Sequence, residues 1–525
     1  MATLSNKHAN VQSVVYPGFT GGLNLSVSSE NLAKNELKEA LNVEYSSRTG
    51  SMRVRGGLIW SSQFGNTVGD VFPISGRNGF LVRPKDDSKW DSTEYFRWNN
   101  IWPVAGSAIN GSGCPSVVTW EDKDGNDCWI VACGDGLYKF SESPVPTLEK
   151  LKAPKIKREL KDTSGTVFGV MEESSKCHQV FLHNGRVGVV GDDDTIFFSA
   201  VGDCESDDAW TTKDDDTSSA QWIQVGYKDG MDITAVVQLS KDLIIFKSPV
   251  YEPDKGIIYR LVGEVPDWQI VEAARNTGTF SQRSVCVAGN DVFYATSVGI
   301  ATLSNVMSYG EAKTGWPDRK VSNALVPKIE SSARIYDVPV KQQLWIAPYK
   351  DSKEVWVFDY GHGGIWTTFE FPNAVKYVFG VDNRVFVFMD KSIYELNDDY
   401  EQDDLRTGKM RDIKAHMKLG TLQSGLQTLI KGIYASFDLK PSCEAVLKLG
   451  KYEFPFKYAG DVEYIYDPPN DTQYASEDDD PLFPLGGVLT SRRRCIVRDW
   501  MFEPLIEITG GGCSVSNIGL EVVEV

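Results

Sequence analysis

Histidine is scarce in this chain, and the signatures that would accompany chemistry are missing with it. Five histidines stand among 525 residues, at positions 8, 178, 183, 362 and 416, and no two share the spacing of a metal pair or a catalytic triad. His178 and His183 are five residues apart, which on a strand puts them on opposite faces. No Gly-x-Ser-x-Gly, His-Glu-x-x-His or phosphate-binding loop occurs, so no catalytic residue, cofactor or metal ligand is expected and the chain does not read as an enzyme. Long apolar runs are absent too; none reaches eighteen residues, so no membrane-spanning helix is expected. The opening segment Met1–His8 has no basic stretch followed by an apolar one, so Sec export is not expected and folding in a cytoplasm is. Nine cysteines, an odd number at scattered spacings with no Cys-x-x-Cys, exclude a zinc set and read as reduced, buried thiols. Basic residues are outnumbered 54 to 72, leaving a net charge of −18. That balance argues against a generic nucleic-acid binder, which needs a basic footprint. It is compatible with a surface that repels a polyanion and lets it slide past.

What the chain does have is aromatic residues (11%), 47 glycines and short alternating runs, which together read as an all-β protein. From Val71 onward one kind of unit returns: a short strand, a polar turn, and a second strand ending in an aromatic. Asp124-Gly125, Asn184-Gly185 and Asn290-Asp291 supply the turns that tight hairpins need. Units start near 71, 116, 179, 233, 284, 342 and 376, mostly close to the about 40–50 residues of one four-stranded propeller blade. Residues 58–405 are therefore expected to form a β-propeller of six to eight blades, with a row of β-sandwiches as the alternative. The short final spacing suggests that 342–396 is a single blade. Two segments interrupt the series. Leu148–Asp162 is locally basic and, with Pro154 blocking a helix, reads as a solvated linker. Val321–Arg334 reads as a helix inserted between blades, kinked or restarted at Pro327.

After an acidic linker, Asn397–Asp404, alternation resumes through Ile413, Ala415, Met417 and Leu419, then Ile433, Ala435, Phe437 and Leu439. Residues 406–525 are read as a separate antiparallel β-sandwich or barrel, with Asp467–Pro481 as an acidic loop between its strands. Asp122–Asp127 looks faintly like a calcium loop, but its twelfth position is Cys133 rather than a bidentate Glu, so a hairpin turn is the better reading. The triplets Asp192–Asp194, Asp214–Asp216 and Asp478–Asp480 read as solvated loops. Arg492, Arg493 and Arg494, with Arg498 beyond them, form the strongest positive cluster. They are candidates for an interface with an acidic loop of the same or a neighbouring subunit, ahead of nucleic acid.

The N-terminus is the most distinctive part. Tyr16-Pro-Gly-Phe-Thr-Gly-Gly-Leu-Asn24 is followed by Leu41-Asn-Val-Glu44 and Gly50-Ser-Met-Arg-Val-Arg-Gly-Gly57. Its glycines permit a bent, extended arm over residues 1–57, which must dock on the body or on a neighbour because it has no core of its own. The order of these pieces resembles the N-termini of tail nozzle, or packaged-DNA-stabilisation, proteins of short-tailed bacteriophages. The match lies in Phe19, Gly21, Gly22, Leu23, Asn24, Asn42, Val43, Gly50, Arg53, Arg55 and Gly56, and by pattern it extends over most of residues 16–400. The resemblance implies a short helix between the arm and the Asn-Val turn. It further implies a virion structural protein of the tail, assembled in the host cytoplasm as a homo-oligomer, in this family a hexamer. Its partners would be portal–adaptor proteins, tail fibre or needle proteins, and genomic DNA that passes without specific binding, with no membrane insertion. Phe19–Asn24 would be the assembly motif. A glycan-binding or carbohydrate-active propeller is the alternative.

Overall fold

The computed structural model describes residues 12–524 except 47–49, 66, 75–78, 85–93, 98–99, 107–115, 133, 135, 162–166, 193, 214–215, 228, 250–251, 305–312, 382, 407–409 and 459–487. Seven units built on four antiparallel strands follow one another along the chain, the second with a short fifth strand, Ala105–Gly106, paired in parallel at its outer edge. Their innermost strands are Val68–Ile74, Ser116–Glu121, Gln179–His183, Asp232–Leu239, Val285–Ala288, Arg334–Val338 and Val375–Val381. Each touches the next, and the seventh returns to the first, so the units close into a ring. This is a β-propeller, and its blade starts fall within a few residues of six of the seven expected positions; the sixth lies eight residues earlier than expected. Alternation accounts for the packing between blades. Val385, Val387 and Met389 turn to one side, against Trp345, Val355 and Val357 of the sixth blade. Phe386 and Phe388 turn to the other, against Phe80 and Phe96 of the first. Burying large side chains on both faces of every blade supplies the hydrophobic free energy that closes the ring.

The expectation of one blade over 342–396 is wrong. The segment contains most of two blades, Arg334–Glu370 and Val375–Asn397, and the second is short because its outer strand comes from elsewhere. Gly57–Gln63, more than three hundred residues earlier, pairs with Ser392–Asn397 as the fourth strand of blade seven. Without it, blade seven would end on an unpaired edge. The two interruptions are also resolved. Lys155–Lys161 pairs with Val167–Ser174 as an added hairpin between blades two and three, rather than a linker without structure. Pro317–Lys328 forms three consecutive short helical turns between blades five and six, the last one restarting at Pro327.

The C-terminal residues form two facing sheets, but they do not form them alone. One sheet joins Leu422–Asp438, Val488–Phe502 and Ser514–Glu524 to Gln12–Pro17, Val43–Ser46 and Ser51–Val54 from the N-terminus. The other joins Lys414–Leu419, Pro504–Thr509, Glu444–Leu449 and Tyr452–Lys457 to Glu36–Leu41. Glu36–Leu41 is thus a strand, where the resemblance implied a short helix nearby. The only helical turn in that stretch is Ser29–Asn31. The expected inward residues Ile413, Ala415, Met417, Leu419, Ile433, Ala435 and Phe437 are all buried. They share one core with Tyr16, Phe19, Leu23 and Leu37 of the N-terminus, and with Ile346, Trp356 and Trp366 of blade six. The N-terminal segment therefore docks on the body, as strands of the two-sheet module, and strand pairing crosses both of the expected divisions, at 57/58 and 405/406.

Candidate functional site

The residues that carry the N-terminal resemblance converge on the seam between the propeller and the two-sheet module. Phe19 is fully buried and holds φ +53°, a conformation rare for a bulky residue, with its N–H donating to Pro17 O. Gly22 has φ +62°, and a Cβ there would lie 2.6 Å from Ile365 Cγ2 and 3.0 Å from the Trp366 backbone N, so only glycine lets this backbone cross blade six. A Cβ on Gly21 would meet the Glu36 side chain at 2.3 Å. Leu23 is buried, and Asn24 donates from Nδ2 to Glu36 Oε2 at 2.9 Å while its Oδ1 accepts from Ser26 N–H at 3.0 Å. The helical turns after blade five clamp this turn from outside. Lys320 Nζ donates to Gly21 O at 3.0 Å and pairs with Glu36 at 2.9 Å, and Asn323 Nδ2 donates to Leu25 O at 2.7 Å.

Further along the chain, Asn42 and Arg55 build a second fastening. Arg55 is buried, and its guanidinium meets the buried carboxylate of Asp403 in a two-pronged pair, Nη1 to Oδ1 at 2.9 Å and Nη2 to Oδ2 at 2.8 Å. Its Nε donates to Asn42 Oδ1 at 3.2 Å, and the group lies 5.0 Å from the Phe371 ring centroid. Asn42, at φ +56°, also accepts from Glu370 N–H at 2.8 Å and donates to Lys414 O at 2.8 Å. Asp403 Oδ1 accepts a third hydrogen bond, from Leu58 N–H of the closing strand, at 3.1 Å. One ion pair thereby joins blade six, the closing strand of blade seven, the acidic linker and the first strand of the C-terminal residues. Nearby, Arg53 and Lys341 bracket Glu44 and Asp398. Burial pushes the Asp398 carboxyl up, but the two cations outweigh it and hold the group below the ordinary carboxylate range. Sequence reasoning missed Asp403, Glu44, Asp398 and Lys341. The available signal was an arginine in an apolar strand pattern, which demands a buried counter-ion, in a chain with an acidic linker to provide one.

The arginine cluster lies elsewhere. Among the described residues Val488–Phe502 is the edge strand of its sheet, and Arg492, Arg493 and Arg494 stand opposite Tyr434, Ile433 and Gly432 of Leu422–Asp438. Arg498 is exposed, as are Trp500 and Met501, whereas Phe502 is buried. Two strands separate this edge from Gln12–Pro17 at the opposite edge, so the arm motif and the arginines are not brought together. The acidic triplet Asp478–Asp480 lies outside the described residues.

Two acidic clusters, at Asp122 and at Asp194, are each filled by a lysine. Asp122 Oδ1 accepts from the backbone of Asn126 and Asp124 at 2.9 and 3.0 Å, and Lys139 bridges Asp122 at 3.2 Å to Glu205 at 2.8 Å. Lys247, fully buried, lies 3.1 Å from Asp194 and 2.8 Å from Asp229, and it donates to Val225 O and Gly226 O. In both places an ammonium group occupies the position a bound cation would take. Asp192 pairs with His178 at 3.2 Å, and Asp216 accepts from the Ser218 N–H and hydroxyl. Among the described residues, no group of three His, Cys, Asp or Glu side chains is arranged to hold a metal ion, and no helix is long and apolar enough to cross a membrane. His178 and His183 do fall on opposite sides: His178 is half-buried, while His183 is buried beside Phe198 and Trp268. One pocket of about 230 Å³ opens beside the starts of the inner strands of blades three and four, lined by His178, Gln179, Asp232, Thr234, Phe280 and Gln282 among others.

No protein-family model matches this sequence, and no curated protein matches it. Solved structures similar to it include BBS1N in complex with ARL6DN, at 12% identity over 68% of this chain and 100% of that one, with a TM-score of 0.41. BamB from Moraxella catarrhalis is 11% identical over 65% of this chain and 99% of its own, with a TM-score of 0.35. A puromycin hydrolase is 10% identical over 68% of this chain and 59% of its own, with a TM-score of 0.39. The propeller itself is established by the strand order and the closed ring of inner strands, and none of these likenesses bears on what the chain binds or does.

Proposed function

We propose that this chain is a virion structural protein, one subunit of the ring-shaped nozzle of a short phage tail that retains packaged DNA and then guides it during ejection. The observation that carries this reading is the structural use of the N-terminal motif. Phe19, Gly22, Leu23, Asn24, Asn42 and Arg55 all fasten the chain to itself, making one stiff body from the propeller and the two-sheet module. A ring subunit that bears internal pressure needs such a body, whereas a catalyst needs a reactive constellation. The arm motif thus prepares the subunit, and contact between subunits falls to other surfaces. Val488–Phe502 suits that role, with a strand edge left unpaired among the described residues, four arginines in a chain of net charge −18, and exposed Trp500 and Met501. Portal–adaptor proteins above the ring and fibre or needle proteins below it would be the remaining partners, and the work would be mechanical and electrostatic, without bond chemistry.

The purified chain, imaged by electron microscopy and sized by light scattering, should form six-fold rings of about 350 kDa, six times 58.3 kDa. A chain that stays monomeric at tens of micromolar, and in the presence of a tail particle lacking its nozzle, would sink this reading. A second reading, a glycan-binding propeller, is favoured only by the pocket at His178 and Asp232, where an aromatic ring and several polar groups line a space of about 230 Å³. Binding on a glycan array that disappears in Asp232→Ala would favour it.

A further inference from the structure

Cys443 and Cys513 are free, buried thiols on two neighbouring turns of the two-sheet module. Cys443 ends the turn after Leu422–Asp438, and Cys513 ends the glycine turn before Ser514–Glu524. Both sulfurs lie 3.9 Å from the same acceptor, Gly511 O, and the Lys440 N–H points at Cys513 Sγ from 3.4 Å. Gly510 leaves room for the Cys443 sulfur, since a Cβ there would sit 2.4 Å from Cys443 Sγ. The glycine turn is also where the module meets the seam: Val54 N–H donates to Cys513 O at 2.7 Å, and a Cβ on Gly511 would lie 2.6 Å from Tyr400 O and 2.9 Å from Arg55 O.

We propose that Cys443 and Cys513 form a dithiol site that closes to an intrachain disulfide when the protein meets a small-molecule disulfide oxidant. The Cys443 thiolate attacks one sulfur of the oxidant, whose S–S bond breaks and expels a thiolate. Cys513 then loses its proton and attacks the Cys443 sulfur of the mixed disulfide, expelling the second thiolate. The two protons from the cysteines protonate the departing thiolates, so the oxidant is reduced by two electrons to two thiols as the protein gains one S–S bond. The two groups differ in the required sense. The hydrogen bond from Cys513 holds Cys443 below the usual thiol range in spite of burial, and the same bond together with burial pushes Cys513 well up. Access runs through the turn before Cys443, where Pro441 and Ser442 are exposed. Closing the bond links two turns 70 positions apart in sequence and restricts the unfolded module. Under the proposed role, which enters only here, the thiols are kept reduced during assembly in a cytoplasm, and the bond forms once the particle reaches an oxidising medium.

The test needs no variant. The full chain is incubated under native conditions with oxidised glutathione at pH 8, its remaining thiols are alkylated in denaturant, and the digest is mapped by mass spectrometry. The expected product is one joined peptide pair containing Cys443 and Cys513, with the other seven cysteines alkylated and a melting midpoint raised by about 5 °C. Cys513→Ser should instead trap glutathione on Cys443, and Cys443→Ser should leave Cys513 alkylated. Recovery of both thiols alkylated after prolonged oxidation, cross-links to other cysteines instead, or a lower melting midpoint for the joined form would overturn the proposal. Because the measurement is made on the isolated chain, its outcome is independent of whether the chain belongs to a tail.

Discussion

At the scale of single residues, the seam depends on charges that cannot do without their partners. Arg55 and Asp403 are both buried, and each satisfies the other's hydrogen-bonding groups together with Asn42 and Leu58 N–H. Truncating Asp403 to Ala leaves a guanidinium without a counter-charge inside the protein, which costs about 3–5 kcal/mol. Urea unfolding should show that loss, whereas a paired replacement of Arg55 and Asp403 by Met and Leu should recover most of it. A loss below about 1 kcal/mol in Asp403→Ala would show that water reaches the pair. His183 makes the stability pH-dependent. Burial lowers its pKa from 6.5, opposed by the more distant Asp242, and Asn184 Nδ2 donates to its Nε2 at 3.3 Å, leaving buried Nδ1 with no acceptor. The unfolded chain therefore binds this proton more readily than the folded one. Its contribution is complete above 6.5 and is lost as pH falls through the lowered folded value. The urea midpoint should fall between pH 7 and 5 in the parent and fall less in His183→Leu; parallel profiles would contradict this assignment.

At the scale of elements, the N-terminal strands decide whether the two-sheet module has a core. Tyr16, Phe19 and Leu23 are buried in it, and burying each such side chain contributes roughly 1.5–3 kcal/mol. Deleting residues 1–24 should therefore disturb folding itself, not assembly alone, and circular dichroism should show a loss of cooperative unfolding in the module. Had the arm docked only on a neighbouring subunit, assembly would suffer more than folding. A truncated chain that melts like the parent but fails to form rings would show instead that this segment serves assembly alone. Phe19→Ala is the milder version, with an expected cost of roughly 3–5 kcal/mol. Gly57–Gln63 is the second deciding element, since blade seven has only three strands without it.

At the scale of the whole molecule, charge governs what a ring of copies can do. Six copies carry a formal charge of six times −18, or −108, so a lumen lined even in part by this surface repels DNA. Negligible affinity for duplex DNA at physiological salt is expected by fluorescence anisotropy. Tight, salt-sensitive binding that is lost on changing Arg492, Arg493 and Arg494 to Glu would overturn this. The same edge strand provides the assembly test. Trp500 is 61% exposed, so Trp500→Glu should shift rings to monomers in light scattering while leaving the monomer's unfolding free energy within about 0.5 kcal/mol of the parent.

Much of the propeller was legible because its signals are local. Period-two alternation such as Val385, Val387 and Met389 against Phe386 and Phe388 needs only neighbouring residues, and Asn184-Gly185 adopts the positive φ values of +49° and +72° that its hairpin requires. The same holds for Ile413–Leu419 in the C-terminal sheets. Partners distant in sequence were not legible. Nothing in Gly57–Gln63 names Ser392–Asn397 as its neighbour, and nothing in Gln12–Pro17 names Ser514–Glu524. Their pairing depends on which edges remain open once the local hairpins have formed and on the loop entropy of bringing them together. Alternation and turn chemistry therefore determined from the sequence alone that this is an all-β protein of repeated hairpins. Ring closure, the merging of both termini into one module, and the Arg55–Asp403 seam were decided only in the tertiary structure, where unpaired edges and a buried charge find partners hundreds of residues away.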